Sequence, residues 1–216
     1  MRVGVLALQG DFREHLLALD SIAKDSQLLN IDQNIEALPV KRKSELESID
    51  ALILPGGEST TIAKLARTFD LFDLIRGRIK DGMPTYGSCA GLILLADRIV
   101  DGAEEQETFG GLDITARRNA FGRQVDSFES EIEFLGIGTL NGVFIRAPWV
   151  EQVGPGVEVL ASTHGHPVAV REKNLLATSF HPELTQDYAV HRYFITQVIT
   201  PVITQNFKQN IEEDCK

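Results

Sequence analysis

Apolar residues along this chain follow two rhythms. The runs Val3–Leu8 and Ala51–Leu54 are short and nearly unbroken, as expected of parallel strands covered on both faces. Between them, Asp11–Lys24 carries Leu16, Leu17, Leu19 and Ile22 near one side, which predicts a helix. Thr60–Arg67 and Leu71–Lys80 read as helices separated near Phe69-Asp70. Thr85–Ser88 is another short strand, and the apolar stretch after it predicts a helix over Ala90–Val100. From residue 131 the pattern becomes richer in strands and turns: Glu131–Ile137, Gly142–Ile145, Val157–Ser162, Val168–Arg171 and Leu175–Phe180. Asp187–Ile199 closes as a helix. Alternating strands and helices imply an α/β fold, a doubly wound and mostly parallel sheet with helices on both faces. The later strands imply an antiparallel extension.

Composition narrows the class. A chain of 216 residues with 43% hydrophobic content can bury the core of one domain. The domain is expected over residues 1–200, followed by a polar, acidic tail over 201–216 expected to be disordered. No apolar run reaches membrane-spanning length. Met1-Arg2-Val3-Gly4-Val5 starts directly in a strand without a basic-then-apolar leader, so a cytoplasmic protein is expected. Cys89 and Cys215 do not form a disulfide framework, and a reducing compartment suits a reactive thiol. The net charge of −10 argues against nucleic-acid binding.

The chemistry concentrates at Tyr86-Gly87-Ser88-Cys89-Ala90-Gly91. Gly-x-Cys-x-Gly between a strand and an apolar helix is the cysteine counterpart of the serine nucleophile elbow. The glycines suit close backbone approach, and a helix N-terminus favours a thiolate. A buried core cysteine beside a tight turn would show the same pattern. A thiolate needs a base. His15 falls in the first turn of a helix, His164 and His166 in a hairpin turn, and His191 on an amphipathic helix. His181 follows an apolar strand and opens His181-Pro182-Glu183-Leu184. Strand ends present catalytic side chains. In an extended backbone, residues two apart project to the same side, so Glu183 can orient His181. The third piece is Pro55-Gly56-Gly57-Glu58-Ser59-Thr60, where paired glycines leave N–H groups free for an oxyanion and Ser59 or Thr60 is the expected helix cap. No phosphate-loop or dinucleotide fingerprint occurs.

These motifs, in this order, resemble the class I (triad) glutamine amidotransferases. Within them, Leu8-Gln9-Gly10, Glu14-His15, the Pro55–Thr60 loop, Asn119-Ala120-Phe121-Gly122-Arg123-Gln124, Ser127-Phe128-Glu129, Phe144-Ile145-Arg146-Ala147-Pro148 and His181–Leu184 resemble the PdxT/SNO family. That family provides the glutaminase subunit of pyridoxal 5′-phosphate synthase. Ser88 stands where the family more often has threonine, and its side chain is not expected to carry the chemistry.

The resemblance implies a flavodoxin-like glutaminase fold. It implies that Cys89 attacks the side-chain amide of L-glutamine, that His181 takes and returns the proton, and that Glu183 holds the imidazole. The backbone N–H groups of Gly57 and Ala90 would meet the oxyanion. Gly57, Glu58, Ser59, Arg118, Ile145 and Arg146 would bind glutamine, with either arginine able to take the α-carboxylate. No metal and no cofactor are expected. The implied partner is the PdxS synthase subunit, a (β/α)8 barrel in a large hetero-oligomeric complex, which would consume the ammonia. A glutaminase of another pathway, a cysteine peptidase and a noncatalytic module remain as alternatives. An intact Cys89, His181 and Glu183 argues against the last.

Overall fold

The computed structural model describes residues 1–24, 34–102, 105–118, 120 and 127–205. In chain order the elements are β1 (Arg2–Leu6), α1 (Phe12–Lys24), β2 (Glu36–Val40), α2 (Lys43–Glu47), β3 (Ala51–Leu54), α3 (Ser59–Thr68) and α4 (Phe72–Lys80). Then come β4 (Thr85–Ser88), α5 (Ala90–Leu95), β5 (Ala96–Val100), β6 (Leu112–Arg117), β7 (Ser127–Phe134), β8 (Gly138–Ile145) and β9 (Trp149–Val153). The hairpin β10 (Glu158–Thr163) and β11 (His166–Glu172), then β12 (Leu175–Thr178) and α6 (Ala189–Tyr193), complete the order.

A seven-stranded sheet runs β10-β11-β12-β4-β3-β1-β2. The five strands from β12 to β2 are parallel, and β10 and β11 add antiparallel on the other edge. This is the mostly parallel sheet with an antiparallel extension that the sequence pattern implies. Period-2 alternation divides the core between its faces. In β3, Leu52 and Leu54 pack with Ile62, Phe72 and Leu92 on one face. Ala51 and Ile53 pack with Leu19, Ile22, Phe194 and Ile195 on the other. Each such fully buried aliphatic side chain contributes about 1.5–3 kcal/mol. A smaller sheet, β5-β6-β9, and the β7–β8 hairpin are separate from the main sheet.

Several elements depart from the sequence expectation. The helix predicted over Ala90–Val100 ends at Leu95, and Ala96–Val100 is strand β5. Ile99 and Val100 are β-branched, which favours strand. Pairing with β6 then decides the matter: Arg98 donates to Asp113 Oδ1 at 2.7 Å and to Thr115 Oγ1 at 3.0 Å. The edge strand β2, the short helix α2, and strands β6 and β9 are missed by the sequence reading. Pro39 obscures β2, and an edge is where a sheet tolerates proline. The last helix changes to π geometry over Phe194–Ile199 and continues through Gln205. Residues 201–205, expected in the tail, are therefore helical. Residues 206–216, including Cys215, lie outside the described residues, as do residues 25–33 and most of the Asn119–Gln124 motif.

Candidate active site

The order β2-β1-β3-β4-β12 reverses direction between β1 and β3, and crevices at such switch points open at the carboxyl ends of the strands. The chain delivers four segments to that end: Leu8–Asp11 after β1, Pro55–Glu58 after β3, Cys89 after β4, and His181–Glu183 after β12.

Cys89 sits between β4 and α5 with φ 48° and ψ −99°. An L-residue held in such a sparsely populated region costs about 1–3 kcal/mol and persists only where its surroundings over-determine it. They do so here. The Cys89 N–H donates to Thr178 O at 2.8 Å, tying the elbow to the end of β12. A Cβ on Gly87 would lie 2.4 Å from the Gly91 carbonyl, and one on Gly91 would lie 2.2 Å from Leu54 O. Both glycines of Gly-x-Cys-x-Gly are thus required by contact with neighbouring backbone.

His181 and Glu183 meet, but not through the extended geometry expected from their spacing. β12 ends at Thr178, and Pro182 opens a 3-10 turn over Pro182–Leu184. The His181 N–H is held by Val143 O at 2.8 Å. The turn brings Glu183 Oε1 to 2.8 Å from His181 Nδ1. A carboxylate only accepts, so Nδ1 carries the proton and Nε2 is the nitrogen left to take one from Cys89. Burial works to lower the imidazole pKa, but the hydrogen bonds and charges of Cys89 and Glu183 prevail and push it up to about 11. Burial pushes the Glu183 carboxyl upward, and the bond from His181 opposes this. The 2.8 Å contact suits an ionised Glu183 facing a protonated His181, each offsetting the other's loss of water. Asp11 Oδ2 lies 3.5 Å from the same Nδ1. Asp11, His181 and Glu183 offer ligand-type atoms within 4.8 Å of one another, but Nδ1 and Oε1 are already spent on each other.

The Pro-Gly-Gly loop is braced by the first loop. A Cβ on Gly10 would lie 1.8 Å from Gly56 O, and Gln9 Oε1 accepts from the Glu58 N–H at 2.9 Å. Glu58, not Ser59 or Thr60, occupies the cap position of α3 and makes no side-chain capping bond. Ser59 instead accepts from Gln106 Nε2 at 2.8 Å.

One cavity brings together Cys89, Gly57, Ala90, Glu58, Ser59, Arg118, Ile145 and Arg146, which are the candidate nucleophile and all the substrate and oxyanion candidates named from sequence. Ile93 and Pro148 join them. Its volume is only about 40 Å³. That is room for a few waters, not for an amino acid. Arg118 closes it, pairing with Glu58 Oε1 and donating to Gln106 Oε1, both at 2.7 Å. Arg146, at φ 43°, forms no ion pair with a described residue. A larger cavity of about 540 Å³ lies among Gly82, Asp97 and Leu175, at the opposite ends of the strands, so size does not locate the chemistry.

The other histidines divide. His164 and His166 flank the β10–β11 turn, where His166 stacks on Trp149 with ring centroids 3.6 Å apart. His15 and His191 are fully buried, and His15 Nε2 lies 3.5 Å from Glu183 Oε1. Sequence reasoning passed over both. The available signal was position: His15 shares a helix face with Leu19 and Ile22, which are core residues.

The model of the SNO glutamine amidotransferase family matches residues 5–200. Pyridoxal 5′-phosphate synthase subunit PdxT of a Nocardioides species is 57% identical over 202 residues, covering 91% of this chain and 95% of that protein. The protein of the same name from Acidothermus cellulolyticus is 56% identical over 204 residues, covering 91% and 93%. Among solved structures, a glutamine amidotransferase is 52% identical with a TM-score of 0.80, covering 89% of this chain and 96% of that one. A glutamine amidotransferase of Thermotoga maritima shares only the fold, with 15% identity, a TM-score of 0.58 and coverage of 99% and 85%.

Proposed function

The chain belongs to the SNO glutamine amidotransferase family, and from that premise we propose that Cys89, His181 and Glu183 form the triad with which it takes ammonia from L-glutamine. It is a glutaminase of the class I type, the glutaminase subunit of pyridoxal 5′-phosphate synthase. The observation that carries the triad is the elbow: a cysteine held at φ 48° between two contact-locked glycines, beside an imidazole bonded to a buried carboxylate.

The Cys89 thiol passes its proton to His181, and the thiolate attacks the side-chain amide carbon. The N–H groups of Gly57 and Ala90 receive the oxyanion. His181 returns the proton to the departing nitrogen, and ammonia leaves. Water, deprotonated by His181, then cleaves the γ-glutamyl thioester to glutamate. Glu183 holds the imidazole and its positive charge throughout. Glu58, Ser59, Ile145 and the two arginines bind the amino-acid end of the substrate. Arg146 is a cavity-wall cation without an ion pair among the described residues, whereas Arg118 must first release Glu58. No metal or cofactor takes part in these steps. The ammonia goes to a PdxS synthase subunit in a hetero-oligomeric complex, and the setting is cytoplasmic. No helix among the described residues is long and apolar enough to cross a membrane.

The test is ammonia release from L-glutamine in the presence of the synthase subunit. Cys89→Ser is expected to fold and to lose turnover, because an alkoxide is far harder to form than a thiolate at neutral pH. A glutamine-derived affinity label should modify Cys89 and spare Cys215. Turnover near that of the parent in Cys89→Ser would overturn the assignment.

A further inference from the structure

Behind the triad, on the side away from the cavity, lies a buried polar chain that the mechanism above does not use. His15 on α1 is fully buried and has both ring nitrogens engaged. Nδ1 is 2.9 Å from His191 Nε2 on α6. Nε2 is 3.0 Å from Ser88 Oγ, the residue before the nucleophile, and 3.5 Å from Glu183 Oε1. Ser88 Oγ is itself 3.5 Å from Glu183 Oε1.

We propose that His15, held by His191 and acting through Ser88, is a positioning residue that directs a chain of donors onto Glu183 and fixes it against His181. The inference rests on the reading of Glu183 as the group that orients the catalytic imidazole.

The direction of the chain follows from its loose end. His191 Nδ1 is buried and has no partner among the described residues. A stranded ring nitrogen that only accepts is cheaper than a stranded N–H, since orphaned buried N–H groups are the rarer kind. His191 therefore carries its proton on Nε2 and donates to His15 Nδ1. His15 then carries its own on Nε2, pointing at Ser88 Oγ and Glu183. With its oxygen accepting from His15, the Ser88 hydroxyl turns its hydrogen to Glu183 Oε1. Every donor in the line faces the carboxylate. Burial holds both rings neutral: it drives His15 well below the usual histidine range and His191 down to about 3.

Glu183 needs these donors. Its side chain has no solvent exposure, and Oε2 has no partner among the described residues. A buried carboxylate short of donors takes up a proton, and a neutral acid cannot stabilise an imidazolium. The 3.5 Å contacts are long, and catalytic hydrogen bonds often tighten as substrate binds. The titratable groups facing Glu183 are Asp11 from the first loop, His15 from α1, Tyr86 from β4 and its own neighbour His181, with His191 of α6 next along the chain.

Two readouts on the full chain test this. The first is the pH dependence of iodoacetamide alkylation at Cys89, followed on its own peptide by mass spectrometry and needing no glutamine. The second is glutamine turnover with the synthase subunit. His15→Met and Ser88→Ala should each make the Glu183 charge less stable and so weaken the imidazolium. The onset of alkylation should move up by about one pH unit and kcat should fall about tenfold, with KM unchanged. His15→Gln, which keeps an amide N–H near the place of Nε2, and Ser88→Thr, which keeps the hydroxyl, should recover most of the loss. In a Glu183→Gln background, His15→Met should add no further loss, because the acceptor it serves is gone.

An unmoved alkylation profile in variants that melt like the parent would overturn the proposal. So would an equal loss from His15→Met in both backgrounds, since that is the mark of a merely structural histidine. If His15→Met does not fold, the Ser88→Ala and Ser88→Thr pair decides by the same criteria. A shifted profile in a chain that hydrolyses no glutamine would sink the glutaminase reading and leave this one standing.

Discussion

Replacing Gly91 by alanine tests the elbow without touching a reacting atom. Alanine at the second position of α5 would by helix propensity alone stabilise the chain by up to about 1 kcal/mol. The contact opposes it. The new Cβ would stand 2.2 Å from Leu54 O, 3.0 Å from Leu54 Cβ and 3.1 Å from Leu54 C. Reaching an ordinary separation requires about 1 Å of movement between α5 and the end of β3. Those segments lead into the two proposed oxyanion donors, since Ala90 precedes Gly91 and Gly57 follows Leu54 by three residues. Overpacking of this kind costs about 1–3 kcal/mol, which in a chain this size lowers Tm by roughly 2–12 °C. A misplacement of about 1 Å at a reacting centre can cost about 100-fold in rate. The assay is thermal unfolding together with turnover in the synthase complex, at a temperature well below the variant's Tm. Gly77→Ala in α4 is the control: a Cβ there meets nothing within 4 Å, so only the propensity gain should appear. Unchanged Tm and kcat in Gly91→Ala, or an equal loss in Gly77→Ala, would refute the reasoning.

Three further outcomes follow from the same geometry. His181→Ala should be nearly as damaging as loss of Cys89, while Glu183→Gln should retain more activity, with a loss of about 10⁴-fold as the upper scale; His164→Ala or His166→Ala costing as much as His181→Ala would displace the base. Because the cavity holds only about 40 Å³ and Arg118 is locked to Glu58, the isolated chain should turn glutamine over slowly and be activated by the synthase subunit, one missing oxyanion donor being worth about 10²–10³ in rate; full activity alone, unchanged by a synthase that demonstrably binds, would rule this out. His15 and His191 are buried neutral with lowered pKa values, so the unfolded chain binds more protons than the folded one below the ordinary histidine pKa. Stability should therefore fall as pH drops below about 6.5, by up to about 1.4 kcal/mol per unit for each ring that stays unprotonated in the fold, and a Tm that stayed flat between pH 7 and pH 5 would contradict it.

Much of the candidate site was legible in the sequence because it is local. Gly87 and Gly91 around Cys89, Pro182 between His181 and Glu183, and the paired Gly56-Gly57 are short patterns whose steric meaning travels with them. The buried runs Val3–Leu6 and Ala51–Leu54 announced a two-faced parallel sheet by the same logic. β6 was also there to be found, since Leu112, Ile114 and Ala116 alternate with polar residues. Other features belong to the tertiary structure alone. Ala96–Val100 is a strand because β6 lies alongside to pair with it, a long-range fact no window of the sequence contains. The His181–Glu183 contact exists because a 3-10 turn, not an extended segment, curls the carboxylate back. The line from His191 through His15 and Ser88 to Glu183 joins α6, α1, the end of β4 and the turn after β12. Residues 15 and 191 are a helix face each in sequence, and only the packing of both helices on one face of the sheet makes them neighbours. Local sterics write motifs into a chain, while strand pairing and buried hydrogen bonds depend on which distant segments the core brings into contact.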